Sequence, residues 1–238
     1  MTFMAPSLMS AIYGFGAKIA NSDKCLIIKN PVHIEKFLFN PQKRDNYRKE
    51  LNINEQSTII GTVGRISEVK NQLFMIYVFN EYLKINPDSY LILVGGTAPN
   101  SKGIEKDIKN LINSLNIQDR VILYGECKDV PGILNAFDTF LMTSKSEALG
   151  IAAIEAQING LPVFISENGI PNDVEITNQI HWLNLDESPA KWAYVIDKNI
   201  KKSNERDINV NTREVQSVNV VHTAKILQEK YLELVNED

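Results

Sequence analysis

The chain has 238 residues, of which 44% are hydrophobic and 23% charged, an ordinary composition for a folded water-soluble domain. Its net charge of −4, with no long basic run, argues against a nucleic-acid partner. The two cysteines, Cys25 and Cys127, are too few and too distant for a disulfide framework or a metal-ligand cluster, which points to a reducing cytoplasm.

Taken in order, the first 17 residues carry no charge and are rich in Met, Ala, Gly and Ser. They lack the basic start of a signal peptide and are too short and too polar to span a bilayer. We read residues 1–24 as the remnant of an inter-domain segment, with Phe3, Met4, Leu8 and Phe15 marking a domain interface. Strand signals follow at 25–30, 57–64, 89–96, 121–125, 138–144 and 161–166. Between them lie helical patterns: a polar one at 41–53, apolar-spaced ones at 71–85 and 104–115, a short one N-capped by Asp129, and one opening at Gly150. Further helical patterns occupy 189–200 and 217–235, and Lys198, Lys201 and Lys202 read as a solvated helix end. Continuous apolar strands alternating with helices predict an α/β fold, a doubly wound, Rossmann-like parallel sheet covered on both faces. The expected organisation is a Rossmann-like domain over 25–205 and a helical segment over 206–238.

Several strands exit into glycine-containing loops, and such sheets bind ligands at the carboxyl ends of their strands. Gly64–Lys70, Gly95–Thr97, Gly125–Cys127 and Ser144–Gly150 are therefore expected along one edge. SEALGIAAIEAQ, Ser146 to Gln157, places Glu147 and Glu155 on either side of a loop-to-helix turn at Gly150. A helix start offers free N–H groups and a positive dipole end, suited to a diphosphate. One carboxylate for sugar hydroxyls and one for ribose hydroxyls would complete a donor site. On spacing alone, two glutamates eight apart are common on solvated helices. Arg65 and Lys70 flank the loop after the strand that ends at Gly64, a plausible clamp for a diphosphate and by itself a weak signal.

Four segments in order resemble the C-terminal, donor-binding half of retaining glycosyltransferases of family 4, which have the GT-B fold. These are VGRISEVKNQ, YLILVGG, VILYGECKDVPGILNAFDTFLMTS and SEALGIAAIEAQINGLPVFIS, the last resembling the family's E-x(7)-E motif. IIKNPVHIEKFLFNP resembles the segment joining the two halves, and EAQINGLPVFIS and WLNLDESPAKWA resemble bacterial exopolysaccharide and capsular-polysaccharide transferases. The resemblance covers roughly residues 20–200 and implies the following roles. Arg65 and Lys70, beside Gly64, neutralise the donor diphosphate. Glu147 lies near the donor sugar and its anomeric centre. Backbone N–H groups of Leu149 and Gly150 meet the phosphates, and Glu155 binds the ribose. Cys127 stands where the backbone meets the nucleobase, its own sulfur being a small half-buried group without chemistry. His33, His181 and His222 fall in no matched motif and read as structural or surface residues.

The resemblance further implies transfer of a hexose-type sugar from a UDP-sugar to a polysaccharide or lipid-linked acceptor. No cofactor or metal is expected, in keeping with the absence of an Asp-x-Asp motif in a suitable loop. It implies an N-terminal GT-B domain, absent from this sequence or supplied separately, and a cytoplasmic location, with peripheral attachment to the inner membrane face as a variant. The alternatives are a truncated, non-catalytic nucleotide-binding module and an epimerase of the same fold; the E-x(7)-E match with Arg65 and Lys70 favours transfer. Three departures stand out. Ala148 replaces the usual glycine, Asn30-Pro31-Val32-His33 replaces Asn-Gly-Ile-Asp, and Gly95-Gly96-Thr97 is an uncommon loop.

Overall fold

The computed structural model describes residues 2–98, 101–200, 206 and 208–236. Lys201, Lys202 and the expected boundary at residue 205 lie outside the described residues. The chain begins with a small parallel unit: β1 (Phe3–Ala5), α1 (Leu8–Phe15), α2 (Ala17–Ala20) and β2 (Cys25–Ile27). β2 pairs with β1 and not with the main sheet. The expectation of four exposed apolar residues here holds only for Leu8. Phe3 and Phe15 pack on each other with ring centroids 5.0 Å apart, and Met4 is half-buried in β1.

After α3 (Ile34–Phe37) and α4 (Pro41–Glu50) come β3 (Thr58–Val63), α5 (Gln72–Ile85), β4 (Ser89–Val94), α6 (Lys102–Ser114) and β5 (Val121–Gly125). Next are α7 (Val130–Leu134), β6 (Thr139–Met142), α8 (Ile151–Ile158), β7 (Val163–Ser166), β8 (Ile180–Leu183) and α9 (Pro189–Asn199). The chain closes with α10 (Arg213–Gln216) and α11 (Val220–Asn236). β8 is an element the sequence reading misses, because its run is only four residues long and His181 interrupts it. The six strands form one parallel sheet in the order β5-β4-β3-β6-β7-β8. That order reverses direction between β3 and β6, where ligands of doubly wound sheets bind.

Successive strand residues face opposite ways, and here both ways are apolar. Ile59, Ile92, Phe140 and Val163 pack towards the layer that contains α3, α7 and α8. Their neighbours Ile60, Leu91, Leu141 and Phe164 pack towards α5, α6 and α9, where Phe79, Tyr82 and Trp192 are fully buried. Trp192 satisfies its indole N–H on the Asn184 carbonyl at 2.9 Å. The predicted cap at Asp129 forms, its Oδ1 accepting from Gly132 N at 3.0 Å.

The polar helix α4 serves the core as well as the surface. Arg44 and Arg48, one turn apart, are buried against Asp138 at 2.6 and 3.3 Å. Arg44 also donates to the carbonyls of Asn135, Ala136 and Phe137 just past the end of α7, where a cation complements the helix dipole. Asp138 accepts from Ile59 N at 2.7 Å, tying the entry of β6 to β3. This hub lies at the amino ends of the strands and leaves the carboxyl ends to the site.

Candidate functional site

The strand exits follow the strand order along one edge, as expected. Gly95 N donates to Gly125 O at 2.7 Å, and Ile66 N donates to Gly96 O at 2.9 Å. Gly95 has φ +140°, and a Cβ on it would stand 2.2 Å from Gly64 O. Only glycine lets the β4 exit lie against the β3 exit this closely. Across the switch point, Lys145 N donates to Val69 O at 2.7 Å and Thr143 Oγ1 donates to Asn71 O at 3.0 Å. Glu147 N donates to Gly169 O at 2.8 Å. The turn supplying that carbonyl, 167–169, went unnoticed in sequence, although Asn168-Gly169 is a turn signal and Asn168 has φ +66°.

These contacts bring Lys70 and Glu147 together. Lys70 Nζ lies 2.5 Å from Glu147 Oε1, with side-chain exposures of 27% and 12%. The pair is sheltered enough for its charge to count and open enough to reach a ligand. Arg65 does not join it. Its side chain is exposed and makes no hydrogen bond or ion pair among the described residues.

Gly150 has φ +86° and ψ 47°, the left-handed conformation, and turns the buried Leu149 into α8. No side chain caps that helix. Its first N–H groups are open to an anion at the edge where Lys70 stands. Glu155, one turn further along α8, is half-buried and has no side-chain partner among the described residues; burial pushes its carboxyl up to about 7. Cys127 lies beyond Gly125, two strands from β3, or roughly 10 Å at the usual strand spacing. Its half-buried thiol is pushed up, chiefly by burial.

His33 and His222 are exposed, and His181 stacks on Phe164 with centroids 4.6 Å apart, so none stands on the site loops. Among the described residues, no group of three or more His, Cys, Asp or Glu is placed to hold a metal ion. No helix among them is long and apolar enough to cross a membrane. A cavity of about 480 Å³ bordered by Glu175, Gln179, Asn209 and Thr212 adjoins the entry to β8 and so belongs to the opposite rim.

Sequence reasoning also missed the site's contact with the N-terminal unit. Ser7 and Ser10 of the α1 start both donate to the Ala148 carbonyl, at 2.6 and 2.9 Å. Partners 141 and 138 residues apart leave no local signal.

Residues 43–214 match the family model described as Glycosyl transferases group 1. The chain is 29% identical over 221 residues to the UDP-Gal:alpha-D-GlcNAc-diphosphoundecaprenol alpha-1,3-galactosyltransferase of Escherichia coli, covering 89% of this chain and 55% of the relative. It thus spans about half the length of the curated relatives it matches. Among solved structures it resembles Anabaena Alr3699/HepE in complex with UDP-glucose, with a TM-score of 0.82 and 20% identity, covering 98% of this chain and 64% of that one. It also resembles the C-terminal domain of the Francisella tularensis group 1 glycosyl transferase LpcC, with a TM-score of 0.61 and 19% identity, covering 84% of this chain and 98% of that one. At those identities the structural likeness speaks for the fold, which is that of a GT-B C-terminal-type domain.

Proposed function

The chain belongs to the group 1 glycosyl transferases, and from that premise we propose that it is the donor-binding half of a retaining, family 4 type hexosyltransferase. In this reading it takes a UDP-sugar and serves the synthesis of a bacterial surface polysaccharide of the capsule or exopolysaccharide type, on a lipid-linked acceptor. The observation that carries the proposal is the Lys70–Glu147 pair beside the uncapped start of α8, at the crevice between β3 and β6.

The diphosphate sits on the N–H groups of Leu149 and Gly150, just before the start of α8. Lys70 leaves Glu147 to meet it, and Arg65 swings in from solvent. Together they stabilise charge that builds on the departing UDP, with no metal required. Glu147 turns to the donor sugar, orienting its hydroxyls while the anomeric carbon passes through an oxocarbenium-like state. Glu155 accepts the ribose hydroxyls, and the base lies over the backbone at Cys127. An N-terminal GT-B domain, residing elsewhere in a longer protein or on a separate chain, supplies the acceptor. The work takes place in the cytoplasm at the inner face of the membrane. Support comes from the lipid-diphosphate substrate in the name of the E. coli relative and from UDP-glucose in the Anabaena complex.

Calorimetric titration with UDP, with GDP as comparator and Glu155→Ala as control, tests the proposal. Preferential UDP binding weakened by the substitution is the expected result. Absence of binding by either nucleotide at millimolar concentration would overturn the donor-binding reading for this chain.

A further inference from the structure

The start of α1 grips one peptide group of the site loop. Ser7 is fully buried, and its hydroxyl accepts from Ser10 N at 3.1 Å and donates to the Ala148 carbonyl at 2.6 Å, a shorter contact than the competing one to Ser10 Oγ at 3.1 Å. Ser10 Oγ donates to the same oxygen at 2.9 Å. The Ala148 carbonyl and the Leu149 N–H belong to one peptide unit, which is planar and trans, so they point in opposite directions. Two donors that fix the oxygen therefore fix the direction of the N–H. That N–H has no acceptor among the described residues.

The residues on either side are already held. Glu147 N is bonded to Gly169 O at 2.8 Å, the Leu149 side chain is buried, and Gly150 occupies its left-handed turn. The freedom left to the loop is rotation of the single peptide between 148 and 149, which turns its N–H towards or away from the α8 edge. Hydroxyls bonded to the carbonyl also polarise the unit and make its N–H a stronger donor. α1 is itself anchored, since Leu8 N donates to Asp173 Oδ2 at 3.3 Å.

We propose that Ser7 and Ser10 are positioning residues that lock the 148–149 peptide so that the Leu149 N–H faces the donor's diphosphate. The inference rests on the donor-site reading and adds two residues far outside its motifs. Neither hydroxyl touches the nucleotide. Their removal weakens recognition of the phosphates and leaves recognition of the nucleoside intact.

The test compares UDP with uridine as ligands of the 238-residue chain, by NMR titration, for wild type, Ser10→Ala and Ser10→Thr. Ser10→Ala is expected to weaken UDP at least about tenfold, the scale of one hydrogen bond to a charged group. Uridine affinity stays unchanged, the Leu149 amide resonance moves in the free protein, and Ser10→Thr restores both UDP affinity and resonance. Ser7→Ala, which also removes the α1 cap, serves as a second variant once its circular dichroism matches wild type. Equal losses for UDP and uridine would assign the serines a merely structural role and overturn the proposal. A wild-type chain that binds UDP with no loss on Ser10→Ala refutes this inference alone. A wild-type chain that binds no UDP refutes the donor-site reading and the inference with it.

Discussion

Replacing Glu155 by glutamine should make the protein more stable at alkaline pH. Glu155 is half-buried without a side-chain partner, and burial raises its carboxyl from 4.5 to about 7. Between those values the folded state holds a proton that the unfolded chain releases. Stability therefore falls as pH rises from about 4.5 to about 7, and the full penalty applies above that. At about 1.4 kcal/mol per pH unit, less an allowance for partial exposure, the penalty is about 2–3 kcal/mol. Glutamine keeps the shape and carries no charge. At pH 8.5, Glu155→Gln should melt about 5–10 °C above wild type, given the few degrees that each kcal/mol shifts Tm in a domain of this size. Near pH 4.5, where the wild-type carboxyl is neutral when folded, the two should melt almost together. Scanning calorimetry across that range measures the difference directly. A pH-independent offset, or a variant less stable than wild type at pH 8.5, would refute the account of Glu155 as a buried, unpartnered acid. A group held at such a cost is one removed by substitutions that stabilise and disable together. In the same frame, uridine affinity should rise with pH through about 7 in wild type, because ribose hydroxyls bind the ionised form, and stay flat in the variant.

Glu147→Gln releases Lys70 from its 2.5 Å partner. UDP should then bind about two- to fivefold more tightly, the gain matching the modest worth of a partly exposed pair; weaker binding would show that Glu147 orients Lys70 for the phosphate. Gly95→Ala places a methyl 2.2 Å from Gly64 O at φ +140°. It should cost about 2–3 kcal/mol in urea unfolding and blunt UDP binding, and wild-type stability would contradict the close approach of the two loops. Asp138→Asn leaves Arg44 and Arg48 buried without their carboxylate. A loss of about 3–5 kcal/mol is expected, measured as a lower urea midpoint, and a change under 1 kcal/mol would show that the carbonyl contacts alone hold the two arginines.

Five of the six core strands were legible because a parallel sheet buried on both faces writes itself as unbroken apolar runs, whereas the short β8 was not. Ile59-Ile60 and Leu91-Ile92 are such runs, and each residue of a pair feeds a different face. Glycines at strand exits placed the site edge, because Gly95 and Gly150 stand where the backbone must turn or approach closely. Local chemistry therefore determined the fold class, the edge, and Lys70, Glu147 and Glu155 as candidates. Tertiary structure decided who meets whom. It put Lys70 on Glu147 and left Arg65 in solvent. It also sent Arg44 and Arg48 of a polar helix into the core and brought Ser7 and Ser10 to the Ala148 carbonyl. Propensity and periodicity act over a few residues. A hydrogen bond or ion pair between residues 77 to 141 positions apart depends on how the layers stack, which no local pattern in the chain encodes.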